Sequence, residues 1–139
     1  MLHALSLGDV ARLLRSAGLV VWQDRMKGGR PVWRTIDRPR FNVYPYYEVP
    51  AGSGLYAAFL LSFGMKFSPE GAEAAVREAR TMALNCECTA DEDGGVFTAH
   101  TVTLAGGVTE EHLRVQLQIW RKYLKRIVEA GREAAVDDD

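Results

Sequence analysis

The chain has 139 residues, 47% of them apolar, with 17 basic against 18 acidic side chains and a net charge of −1. That is enough apolar material for a packed core, which excludes global disorder, and the near-neutral balance excludes a surface that grips nucleic acid as a whole. No uninterrupted apolar run of about 18 residues occurs, and Met1-Leu2-His3-Ala4-Leu5 lacks a basic signal-peptide start, so a cytoplasmic protein without a membrane span is expected.

Ser6 reads as a helix cap with Asp9 as its capping-box partner. Val10, Leu13, Leu14 and Ala17 then recur at helical spacing, and Gly18 closes a helix over about residues 7–17. Leu19-Val20-Val21-Trp22 reads as a strand, Lys27-Gly28-Gly29-Arg30 as a turn, and Val32 to Ile36 as a second strand opened by Pro31. Phe41 to Val49 is a third strand. Its Pro45 lacks a ladder donor, so an edge position or a bulge is expected there. In Leu55–Phe67 every odd position is apolar, whereas the even positions Tyr56, Ala58, Leu60, Ser62, Gly64 and Lys66 are mixed. One face of this strand is core, and the other is wet only in part, which points to a second contact surface.

Ser68-Pro69-Glu70 is a cap, a first-position proline and an acidic first turn, predicting a helix over about residues 69–81. Met82 to Thr89 alternates with Leu84, Cys86 and Cys88 on one face. Asp93-Gly94 turns the chain, and Val96 to Leu104 is the hairpin partner. Gly106-Gly107 makes a sharp corner, and a long helix follows Thr109. Leu113, Leu117, Trp120, Leu124, Ile127 and Val128 form its seam, with Val115 and Ile119 as a narrower second strip. One domain over residues 1–134 is expected, with residues 135–139 as a frayed acidic tail.

This order of helix, three strands, helix, two strands and helix resembles the fold of the type III secretion chaperones. It implies an α+β domain with an antiparallel sheet and helices on one face. The sequence itself resembles the YbjN family, whose label points to bacterial sensory transduction. The resemblance rests on Arg80-Thr81-Met82-Ala83-Leu84-Asn85, the acidic-glycine turn, and Leu104-Ala105-Gly106-Gly107-Val108-Thr109-Glu110-Glu111 leading into Leu113 and the long helix. Trp22 at the first strand also fits. The resemblance implies a small, non-enzymatic, dimer-forming scaffold that binds another protein.

Candidates for chemistry are few. His3, His100 and His112 have no metal-ligand spacing, and no nucleophile–base pair assembles from the motifs. Cys86 and Cys88 would share a strand face with Cα atoms about 6.5 Å apart, a spacing that strains a direct bridge. Two ligands cannot close a zinc site. Both cysteines read as small buried side chains, and no metal or cofactor is expected. Tyr44, Tyr46, Tyr47 and Tyr56 lie near Arg38 and Arg40, a mixture that suits a protein interface, or else the stacked bases of single-stranded nucleic acid. The expected protein-binding residues are Tyr44, Tyr46, Tyr56, Leu60 and Ser62, joined by Trp22 and Trp33. The expected work is chaperone-like capture of a protein client by a homodimer. A signalling or stress-regulatory module acting through a protein partner is the alternative, and nucleic acid is less favoured.

Overall fold

The computed structural model describes residues 1–82, 84 and 86–137. Within them the chain runs α1 (Leu7–Ser16), β1 (Val21–Arg25), β2 (Pro31–Thr35), β3 (Asn42–Glu48), β4 (Tyr56–Lys66), α2 (Pro69–Thr81), β5 (Glu87–Ala90), β6 (Gly95–Thr103) and α3 (Glu110–Asp137). The strands form a six-stranded antiparallel sheet in the order β1-β2-β3-β4-β6-β5, so the architecture is α+β as expected. Two compact units divide the chain. One is Met1–Leu61 with Thr101–Gln118, and the other is Ser62–His100 with the chain from Ile119 onward.

In the first unit, Ser6 and Asp9 close the capping box in both directions, each side chain accepting from the other's backbone N–H at 3.1 Å. α1 then buries Val10, Ala11, Leu13 and Leu14. Val10, Leu13 and Leu14 meet Val43 of β3, Phe59 and Leu61 of β4, Val102 of β6, and Leu113 and Leu117 of α3 around one apolar core. α1 and the start of α3 therefore lie against the same side of the strands. Alternation turns Phe59 and Leu61 toward these helices and Tyr56, Ala58 and Leu60 away from them. The N-terminal residues also make two isolated backbone bridges, which sequence pattern did not predict. Leu5 exchanges two backbone hydrogen bonds with Tyr56 (2.9 and 2.8 Å), and Leu2 exchanges two with Val108 (2.7 and 2.9 Å).

In the second unit, the Ser68 hydroxyl caps α2 by accepting from the Gly71 N–H at 3.0 Å. α2 buries only Gly71, Ala72, Ala75 and Ala79, so its partners approach closely. A Cβ on Gly71 would lie 2.5 Å from the Gly131 carbonyl oxygen of α3. The hairpin between β5 and β6 turns on Asp91, whose carboxylate accepts from the Asp93 and Gly95 N–H groups at 2.9 and 2.8 Å. The α3 seam is buried throughout, with Trp120, Leu124 and Ile127 at 0% exposure.

Two expectations need correction. β3 is not an edge strand, since it lies between β2 and β4. Its register with β2 covers only Trp33↔Val43 and Arg34↔Asn42, so Pro45 falls beyond that ladder and its missing donor leaves no gap there. Two residues on, Tyr47 takes left-handed backbone at φ 54. β5 begins at Glu87 rather than Met82. The expected alternation also included Ala83 and Asn85, which lie outside the described residues, as do Asp138 and Asp139 of the expected tail.

Candidate functional site on the exposed sheet face

β1 is a sheet edge. Ile36 N–H donates to the Val20 carbonyl, and Met26 N–H to the Arg30 carbonyl, on either side of the Val21↔Thr35 to Arg25↔Pro31 register. In an antiparallel ladder the bonded positions alternate, so the even residues of β1 bond to β2. The backbone groups of Val21 and Gln23 then point away from the sheet.

Side chains alternate as well. Val21 is buried on the helix side, and Thr35 opposite it is buried too, its hydroxyl accepting from Phe41 N–H at 3.0 Å and donating to the Phe41 carbonyl at 3.1 Å. Val20, Trp22 and Asp24 point to the other side. Val20 is 55% exposed, Trp22 41%, and Ile36, bonded to Val20 across the strands, 47%. Beside this apolar margin runs a polar chain. Asp24 Oδ2 accepts from Arg34 Nε at 2.8 Å, Arg34 Nη1 donates to Asn42 Oδ1 at 3.3 Å, and Asn42 Nδ2 donates to the Tyr44 hydroxyl at 3.3 Å. The bond from Arg34, then that from the Arg25 amide, holds the Asp24 carboxyl below the usual carboxylate range.

The expected contact residues separate on this frame. Trp22 is exposed and in register with Arg34. Tyr44 is half-buried and tied to Asn42. Tyr46 is exposed and sits edge-on to Tyr47, ring centroids 4.5 Å apart. Tyr56 and Leu60 are half-buried on the side away from the helices, and Ser62 is half-buried in the second unit. Trp33 is corrected. It is in register with Val43, a core residue, and is only 5% exposed, so it leaves the surface set. The sequence reading missed Val20, Ile36, Asp24, Arg34 and Asn42. The β-branched run at Val20 signalled a strand but not which face stays bare.

The second unit holds a different cluster, facing α3. The Thr98 hydroxyl donates to the Glu87 carbonyl at 2.6 Å and pairs with the Tyr123 hydroxyl at 2.7 Å. Burial pushes the Tyr123 phenol well above its ordinary range, helped by the interaction of its O–H with the Cys86 sulfur, which favours the protonated phenol. Burial likewise raises the Cys88 thiol, against an opposing hydrogen bond from Tyr123. Cys86 and Cys88 are half-buried, not buried as expected. Among the described residues no three or more His, Cys, Asp or Glu gather as metal ligands, and no helix is long and apolar enough to cross a membrane.

Residues 7–133 match the sequence model of the YbjN family, described as "Putative bacterial sensory transduction regulator". No curated protein matches the sequence. Among solved structures, the chain is similar to YbjN from E. coli, described as "a putative transcription regulator", with TM-score 0.65, 10% identity and 93% of each chain covered. It is also similar to an uncharacterized protein from Methanothermobacter thermautotrophicus, with TM-score 0.63, 12% identity, and 94% of this chain and 99% of the other covered. At these identities the likeness is one of fold.

Proposed function

We propose that this chain, which belongs to the YbjN family, is a non-enzymatic regulatory protein of the cytoplasm that acts by capturing an extended segment of a partner protein. The observation that carries this reading is the β1 margin, where Val20, Trp22 and Ile36 are exposed beside backbone groups turned away from the sheet. An added strand would satisfy those backbone groups, and its alternate side chains would cover the apolar margin. The capture is chaperone-like in that it shields an apolar segment without altering it covalently. Residues 1–134 act as one module, and a homodimer presents two such margins, which raises avidity for a client that reaches both.

A crosslinkable residue at position 22 tests the site. It should trap a partner peptide that protects β1 amides from hydrogen exchange, and Trp22→Ala should weaken that complex by about 2 kcal/mol, roughly 30-fold, as for a central aromatic anchor. Unchanged affinity in Trp22→Ala would remove this surface from the function. Oligonucleotide binding that falls with salt and is lost in Tyr46→Ala would redirect the reading to single-stranded nucleic acid.

A further inference from the structure

Cys86 and Cys88 lie apart from the β1 margin, in the second unit. Cys86 directly precedes β5, Cys88 lies within it, and both thiols are free and half-buried, within reach of solvent. Glu87 between them is extended strand, so their Cα atoms are about 6.5 Å apart with both side chains on one side. That side faces α3. Cys88 is in register with Thr98, which pairs with Tyr123. Cys86 Sγ lies 3.7 Å from the Thr98 hydroxyl, and the Tyr123 hydroxyl, 2.7 Å from that same hydroxyl, lies near both thiols. The two cysteines therefore gather at Thr98, beside the Tyr123 phenol. Arg80, at the end of α2, lies near enough to act on Cys88 through its charge.

The spacing discriminates between ligands. A direct S–S bond of about 2.0 Å needs Cα atoms within roughly 4.4–6.8 Å, so extended backbone sits at the far limit. A bridging ion inserts two metal–sulfur bonds of about 2.3 Å each, which suits the wider gap. Zinc and iron–sulfur clusters need more donors than the two sulfurs here. Two thiolates with no harder ligand select soft ions, copper(I) foremost.

We propose that Cys86 and Cys88 form a two-coordinate site for a soft monovalent ion of the copper(I) type, one ion per chain. Loading makes two metal–sulfur bonds and releases two thiol protons, with no electron transferred. The loaded site carries one negative charge, beside Arg80, and Tyr123 supports it from behind through the Thr98 hydroxyl. The site neither uses nor requires the β1 margin.

Titration of the full chain with copper(I) under anaerobic conditions, competed by bicinchoninate, tests it. One ion should bind per chain with release of two protons. Cys86→Ser and Cys88→Ser should each lose more affinity than the about 10–100-fold typical of an outer partner, whereas Tyr123→Phe should fall within that range. In the unsubstituted protein, prior copper(I) loading should shield both thiols from iodoacetamide, a readout that needs no variant to fold. Retention of one ion per chain in the Cys86→Ser/Cys88→Ser double variant overturns the site, as does one ion shared between two chains. Failure to bind copper(I), with glutathione disulfide instead removing two hydrogens from the mass, overturns it in favour of a redox pair.

Discussion

Trp22 and Trp33 look alike in sequence, each within a short strand of mixed residues, yet one is exposed and the other buried. Alternation puts each on a definite face of its own strand. Only the register Trp33↔Val43, set by β3 residues that follow later in the chain, says which face is core. The polar chain Asp24–Arg34–Asn42–Tyr44 was out of reach for the same reason, since it crosses three strands. Iodide should quench part of the tryptophan emission, and Trp22→Phe should abolish the quenchable part, since Trp33 and Trp120 are buried. The Thr98 hydroxyl serves both Glu87 and Tyr123 in a buried setting. Thr98→Val should therefore cost about 1–3 kcal/mol in urea unfolding. Tyr123 keeps its proton in the fold above the ordinary phenol value near 10. The folded chain then binds more protons than the unfolded one at alkaline pH. This contribution to stability is complete below pH 10 and is lost as pH climbs from there toward the folded pKa. Absorbance at 295 nm should show one of the five tyrosines ionising only with unfolding.

At the scale of elements, caps and glycines were the readable features, because they act within a few residues of chain. Ser6, Ser68 and Thr109 all cap as read, the last accepting from the His112 N–H at 3.1 Å. Ser6→Ala should lower the unfolding free energy by about 1 kcal/mol, measured by thermal or urea denaturation. Asp9 is held below its ordinary value of 3.8 by the Ser6 amide and hydroxyl. A depressed carboxyl stabilises above its unfolded pKa, so the effect of Asp9→Asn should be fully visible at neutral pH and fade as pH falls below 3.8. Gly94 has φ +92 and packs so closely on the Phe67 carbonyl that a Cβ would collide with backbone, whereas Gly28, at φ +102, opens to free space. Both substitutions to alanine strain the backbone, but Gly94→Ala should destabilise far more than Gly28→Ala in the same assay. The edge assignment of β3 failed because a proline reports only a missing donor. It cannot report that the neighbouring ladder stops two residues short.

Across the whole molecule, element order and type were legible because each long segment keeps one period and has punctuation at its ends. The backbone bridges of the N-terminal residues were not, since Leu2 and Leu5 carry no period of their own before α1. The fold recurs in solved structures at 10% and 12% identity. The proposed homodimer predicts a solution mass of twice 15.4 kDa, and a monomer at micromolar concentration by light scattering would contradict it and leave one margin per particle. The division of the chain into interleaved stretches has its own result during synthesis. Residues 1–61 emerge first, but their unit is incomplete until Thr101–Gln118 has left the ribosome. A nascent chain arrested before residue 101 should stay protease-sensitive over residues 1–61, and that unit should fold only once residue 118 has emerged.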